Sequence, residues 1–463
     1  MHKDRFLGSE NLELAREIYS VMSSHPILAP HGHVEPDLLL KNEPFANPVD
    51  LLITPDHYIT RMLMSQGVTY EELSIPRADG TRSSVEPRAV WKIFANNWRA
   101  FRSTPSRIWF QESLETIFDI SENFTPERAD FIFDQIAEKL SSPEFLPRNL
   151  FKKFNIELLA TTDSPSDSLA AHSALSKINL GGRVIPTFRP DGVSDPERSD
   201  WRASISALAT SSGIDCQTFA GLMSALRNRR AFFKSHGATA TDHGLASAQT
   251  LELSDSEKEN LYSRIRKGPI SKTDAQIFRA VMTFEHGIMG AEDGLVMQLH
   301  PGSCRNYSVE INAKYGRDKG FDIPQEVHYV HELHALLNKV GHNPNFRMVL
   351  FTLDESSFSR EIAPLAGAFP SVRIGPPWWF LDSLKATQRW RDAVTETAGF
   401  YNTVGFIDDT RAFCSIPVRH DVARRFDAGY LAREVAQHQI SKSDAIELAS
   451  DLAYNLSKEF FKL

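Results

Sequence analysis

The feature that most constrains the fold is a rhythm of short apolar runs, rich in branched residues, most of which stop at polar or ionisable side chains. "PILAPHGH" ends at His31 and His33, "NIELLATTDSP" runs from Asn155 through Asp163, and "GGRVIPTFRPD" reaches Arg189 and Asp191. "DGLVMQLHPG" delivers His300 and "FRMVLFTLDE" delivers Asp354. "PSVRIGPPWWF" reaches Trp378 and Trp379, and "NTVGFIDDTR" reaches Asp408, Asp409 and Arg411. Helical periodicity separates several of these runs, as over Asn11–Met22 and Ile323–Val340. Strands alternating with helices make a parallel sheet. When strand after strand ends in a functional group, the closed (β/α)8 barrel fits best, because its active site gathers at the C-terminal strand ends. Seven strands are readable in this way, and the eighth is not apparent.

Two intervals are too long for simple crossovers. Val34 to Phe154 reads as mainly helical, with "PDHYITRMLMSQ", "RAVWKIFANNWRAF" and "ERADFIFDQIAEKL". Residues 36–150, approximately, read as a helical subdomain inserted after the first strand of a distorted α/β barrel. Arg202 to Asp293 also reads as helical, with polar breaks around Ser235–Thr241 and Lys267–Lys272. Both intervals leave and rejoin the barrel near its functional face, where they can wall off a pocket.

Composition excludes several classes. The net charge of -8, with no basic block, argues against a nucleic-acid partner. No stretch approaches the roughly 18 apolar residues that span a membrane, and the N-terminal "MHKDRFLGSENLEL" lacks an apolar signal core. Cys216, Cys304 and Cys414 are far apart and odd in number, which fits reduced thiols in a cytoplasmic protein. There is no glycine-rich phosphate loop and no G-x-S-x-G nucleophile turn.

With 16 histidines in 463 residues, about half a His-x-His pair per chain arises by chance, so "HGH" alone proves nothing. Geometry adds more. On a strand, His31 and His33 point to the same face and can reach one cation. A third ligand is then sought at the last strand, which barrel closure brings beside the first; Asp409 stands there. Two readings of Asp409 remain open on the strand pattern alone: a metal ligand, or a capping aspartate in the "DDT" turn. A second cluster, His328, His331 and His334, lacks the i, i+4 spacing of a zinc-protease helix and reads as a solvated helix face. His300, at a strand end ahead of a turn, belongs to the ring of functional groups. Arg189, Arg305 and Arg411 fall just past strand ends, and three arginines at one mouth suit a carboxylate ligand. Trp378 and Trp379 read as pocket wall.

Taken in order, "HGHVEP", "DHYITR", "ATTDSPSDSL", "PTFRPD", "MQLHPGSCRN", "GFD", "PPWWFLDS" and "GFIDDTRAF" resemble the uronate isomerases (glucuronate isomerases) of the amidohydrolase superfamily. The resemblance spans nearly the whole chain. It implies a distorted (β/α)8 barrel with a helical insertion and one divalent metal, usually zinc, on His31, His33 and Asp409. It further implies Tyr58, Arg411 and His300 as active-site residues, with His57 beside Tyr58 and Asp409 shared between metal and chemistry. Arg189, Arg305 and Trp379 would face the substrate's polar groups. The expected substrate is a small uronate, and the expected state is a homo-oligomer. The chain departs from the family in "DSPSDS", where two acids of the usual D-D-P-x-D-D stretch are serine, and in the proline and cysteine of "HPGSCRN". Both changes bear on the preference between epimeric uronates.

An aldose–ketose isomerase moves hydrogen from C2 to C1; a metal that polarises the neighbouring oxygens and a positioned base suffice for this. One rival is a metal-dependent hydrolase of an amide or lactone on the same scaffold. Such enzymes commonly place a lysine or more histidines at the middle strands, where this reading finds Asp163, Arg189 and His300. The other rival, a silent sugar-acid binding protein, has nothing in the sequence to favour it.

Overall fold

A computed structural model describes residues 4–463. The barrel wall begins with the parallel strands β1 (Ile27–Ala29), β2 (Ile156–Ala160) and β3 (Arg183–Ile185), which pair in that order. It continues with β4 (Ala240–His243) and β5 (Val296–Leu299). A small antiparallel pair, β6 (Ser303–Cys304) and β7 (Ile323–Pro324), brackets a loop outside the wall. β8 (Met348–Leu350) then pairs with β5, and β9 (Val372–Ile374) pairs with β8, all parallel. Phe188, just past β3, bridges both Asp163 and Thr241 and so joins the two sheets. Ile374 bridges Thr403, and the chain from Thr403 to Asp409 forms the last stave without a regular ladder. The ring closes where the His33 N–H donates to Thr410 O at 3.0 Å.

The eighth stave is β4, and it corrects the reading of Arg202–Asp293 as an insertion. That interval is two ordinary crossovers, with helices Trp201–Ser212 and Phe219–Ser235 before β4 and helices Asp255–Lys267 and Lys272–Asp293 after it. Every residue of β4 is buried, so it shows no alternation of apolar and polar. A second correction concerns Ile323–Val340. Its first residues are β7, and helix appears only at Tyr329–Glu332 and His334–Val340. His328, His331 and His334 are exposed, as a solvated face requires.

Leu28, Leu158, Ala160 and Ile185 fill one half of the barrel interior, and Ala240, Val296, Val349 and Val404 the other. Leu463 packs against both groups, and Arg347 donates to Phe460 O at 2.8 Å. The chain's last residues therefore stop the end of the barrel opposite the polar strand ends. Between β1 and β2 the chain runs through helices from Pro36–Lys41 to Pro147–Lys153. Their centre is aromatic: Trp91, Phe94, Trp98, Phe110 and Phe124 interlock, with Phe110 and Phe124 rings 4.9 Å apart. Each such pair adds about 0.5–1.5 kcal/mol beyond burial. This stiff layer lies over the barrel mouth and presents Tyr58 and Trp109 to it. Among the described residues, no helix is long and apolar enough to cross a membrane.

Candidate functional site

β1 is buried throughout and runs directly into His31-Gly32-His33. The bond from His33 N–H to Thr410 O fixes this turn against the last stave. As a result His31 Nε2 lies 3.3 Å, and His33 Nε2 3.1 Å, from one atom, Asp409 Oδ1. These spacings match the edge of a ligand tetrahedron around a cation with bonds of 2.0–2.1 Å, about 3.3 Å. Two imidazoles and a carboxylate are also the donor types that a borderline divalent cation accepts. The residues present thus fit a metal. Burial disfavours charge on all three groups. On Asp409 the attraction of His31 and His33 outweighs burial and holds the carboxyl well below its usual range. Burial prevails on His33 and lowers its pKa, whereas on His31 the pull of Asp409 and Asp242 overcomes burial and raises it. Asp409 sits at φ 40°, a left-handed conformation that costs energy in a residue other than glycine.

Asp242, at the end of β4, accepts from His300 Nδ1 at 2.9 Å and faces Arg189 Nη1 at 3.2 Å. Arg189, His31 and His300 keep its carboxyl well below the ordinary range despite complete burial. An ionised carboxylate only accepts, so His300 Nδ1 carries the proton and Nε2 presents a lone pair. That Nε2 is buried and has no hydrogen-bond partner. The ring is clamped between His31 at 4.6 Å and Phe351 at 4.0 Å, both stacked. His31, Asp242 and His300 form a second close group of potential ligands that shares His31 with the first.

His57 and Tyr58 open the helix His57–Ser65, whose N-terminus is capped by Asp56 accepting from Tyr58 N–H at 2.8 Å. Burial raises the Asp56 carboxyl to about 6 even with that bond. Burial also pushes the Tyr58 hydroxyl well above its usual value, so it stays protonated. Burial and then Arg411 lower His57 to about 3, leaving a neutral ring stacked on Trp379 at 5.3 Å. Trp379 is at φ 50°, a strained setting for so large a residue.

The three arginines do meet at the mouth, and each has a carboxylate partner. Arg189 Nε bonds Asp191 at 3.0 Å, Arg305 bonds Asp322 at 2.8 Å, and Arg411 faces Asp318 at 3.2 Å. Gly244 explains how two of them fit: a Cβ there would lie 2.5 Å from Arg189 Nη2 and 3.0 Å from Arg305 Nη2. One cavity is lined by His31, His33, His57, Tyr58, Arg189, His300, Arg305, Trp378, Trp379, Asp409 and Arg411. Every residue singled out from sequence for this site therefore lines a single space. Asp163 does not join them: it is buried, accepts from Thr161 Oγ1 at 2.6 Å, and is raised to about 7 by burial. The sequence reading missed Asp242, Asp318, Trp109 and Arg419, which line the same cavity. Only Asp242 carried a local signal, the short run "ATATDHG" that reaches Asp242 and His243.

Residues 1–461 match the sequence profile of the glucuronate isomerase family. A uronate isomerase of Xanthomonas axonopodis pv. citri is 47% identical over 465 aligned positions, covering 100% of this chain and 98% of its own. The crystal structure of glucuronate isomerase from Caulobacter crescentus superposes with a TM-score of 0.98 at 45% identity, covering 100% of this chain and 97% of its own. That of uronate isomerase from Thermotoga maritima gives 0.92 at 26% identity, covering 99% of each.

Proposed function

As a member of the glucuronate isomerase family, the chain is an aldose–ketose isomerase, and we propose that it interconverts D-glucuronate with D-fructuronate, and D-galacturonate with D-tagaturonate, by proton transfer through an enediol. The observation that carries this reading is the convergence of His31 and His33 on Asp409 in the cavity that Tyr58 and Arg411 also line. His31, His33 and Asp409 would hold one divalent cation, which we take to be zinc. When bound, it supplies Lewis acidity to substrate oxygens and acidifies the hydrogen on the adjacent carbon.

The rest is done by side chains. The ionised Asp409 takes the proton from C2 while Tyr58, kept protonated by burial, donates to the oxygen on C1. The Arg411 guanidinium faces the charge that develops across the enediol. Asp409 then returns its proton to C1, and the hydroxyl on C2 returns one to Tyr58, so atoms and charges balance. His57 stays neutral across the working pH range and acts as a hydrogen-bonding wall. Arg189, Arg305 and Trp379 position the substrate's polar groups.

We also read the helices between Pro36 and Lys153 as an inserted subdomain, and the enzyme as a cytoplasmic homo-oligomer. Three free thiols support the first part of that last reading, and the exposed Tyr307 and Val309 the second.

The test is an assay of the metal-loaded protein on both aldouronates, coupled to a ketouronate reductase. In heavy water the ketouronate should acquire deuterium at C1. Complete retention of the original C2 hydrogen over long equilibration would exclude the enediol. Hydrolysis of an amide or lactone, with neither uronate turned over, would replace the isomerase reading by the hydrolase one.

A further inference from the structure

The arginines at the mouth are over-neutralised. Arg189, Arg305 and Arg411 face four carboxylates, Asp191, Asp242, Asp318 and Asp322, so an anionic ligand meets a cluster that already carries one negative charge too many. Asp191, Asp242 and Asp322 are buried and cannot leave. Asp242 is engaged by His300, and Asp322 accepts from Asn306 N–H at 2.6 Å. Asp318 differs in every respect. Its side chain is 43% exposed, it belongs to the loop between β6 and β7, and it adopts φ 59° between Gly316 at 79° and Gly320 at 80°. Three left-handed residues in five positions make a segment whose shape is imposed from outside. The anchors flank it: Ala78 N–H donates to Lys314 O at 3.0 Å, and the Tyr70 hydroxyl donates to Lys319 O. Gly320 passes so close to the His57 carbonyl that a Cβ would lie 3.1 Å from it.

Asp318 also stands where three spaces meet. It lines the site cavity, a polar cleft walled by Arg198, Arg305 and Arg317, and a more apolar one walled by Leu38, Phe45 and Leu51. Arg411 lines all three as well. Their ion pair is therefore a partition across the approach to the site. Removing Asp318 leaves no buried charge unpaired, because Arg411 is itself 42% exposed.

We infer that Asp318 is an internal competitor for Arg411, holding the guanidinium until the substrate's oxygens take its place. This rests on the reading of the cavity as a uronate site. Binding then carries the cost of breaking the Asp318–Arg411 pair, and removing the competitor tightens it.

The experiment is a double-mutant cycle on the full-length, metal-loaded protein, with D-glucuronate as probe. Dissociation constants come from calorimetry and are compared with KM. Asp318→Asn should bind D-glucuronate roughly fivefold more tightly than wild type, the scale of a half-exposed ion pair. In an Arg411→Met background the same substitution should change binding by less than about twofold. Asp318→Ser guards against a peculiarity of the amide. Unchanged or weaker binding in both Asp318 variants overturns the inference, as does a protein that binds no D-glucuronate in any form. A loop that only shapes the pocket would instead weaken binding in both backgrounds. Tighter binding in Asp318→Asn with neither uronate isomerised would sink the isomerase reading and leave the competition standing.

Discussion

The two sides of the cavity are built on opposite principles. On one side, His31, His33 and Asp409 hang from backbone tied across the barrel seam, and their donor atoms converge on one point. On the other, Arg189, Arg305 and Arg411 are each met by an aspartate. The first side is preorganised for something from outside the chain; the second is neutralised from within. A cation site gains from having its ligands fixed in advance, because no reorganisation is needed when the ion arrives. An anion site of three bare arginines in a partly buried mouth would carry strong like-charge repulsion, so the carboxylates hold the guanidinium groups close together until needed.

The comparison can be broken most severely on the seam side. Replacing Asp409 by Asn, or His33 by Asn, should lower kcat by about 10³–10⁴-fold, the scale of a lost positioned catalytic group. Metal content should fall in parallel, and elemental analysis alongside steady-state rates checks both. Equal metal in wild type and variants would remove the proposed ligand set. On the arginine side the loss should appear in KM. Arg305→Met should raise KM by about 10–100-fold, as expected for one charge-assisted hydrogen bond of 1.5–3 kcal/mol, with kcat changed far less. Asp322 keeps its bond from Asn306 and is not left alone.

Asp242 links the two sides, since it touches both Arg189 and His300. Asp242→Asn should cost about 10-fold or more in kcat/KM, because a partner that can donate no longer fixes which His300 nitrogen carries the proton. Its pH–rate profile should shift as well, and a uniform loss at all pH values would reduce Asp242 to scaffolding.

The smallest effect concerns Asp163, outside the cavity. Its carboxyl is raised from 3.8 to about 7 in the fold, so the folded state binds the proton more tightly than the unfolded one. Its contribution is therefore intact below about pH 4 and is lost as pH rises toward 7. Asp163→Asn mimics the protonated form. Its Tm relative to wild type should climb between pH 4 and pH 8, and a flat difference would show that Asp163 does not titrate there.

How much of this was legible in the sequence follows from how local each signal is. Seven staves and their terminal residues could be read because each run is apolar and ends in a charged or aromatic group within a few positions. β4 escaped because its four residues, Ala-Thr-Asp-His, are small or polar and lie between two strong helical patterns. Their burial comes from neighbouring strands, not from their own character. The same failure hid Asp242. The convergence of His31, His33 and Asp409 could be anticipated because closing a barrel must set the last stave beside the first. The Arg411–Asp318 pairing could not, because it depends on where a long loop lands. Trp109 was likewise out of reach, since only the packing of the helical layer turns it toward Tyr58, at 5.9 Å.

The seam has a further consequence, for folding rather than chemistry. His31 and Asp409 lie near opposite ends of the chain, and the hydrogen bond from His33 to Thr410 is where the circle of staves is completed. The proposed ligand set cannot exist until nearly the whole polypeptide has been synthesised and wound, so a cation held there would bind last. Once bound, it would clasp the two ends of the wall together. An ion held at 100 times its dissociation constant adds about 2.7 kcal/mol to the stability of a site absent from the unfolded chain. Chelation should therefore loosen the molecule along this one line, with amide exchange rising first at His33 and along β1 while the strands around β5 stay protected.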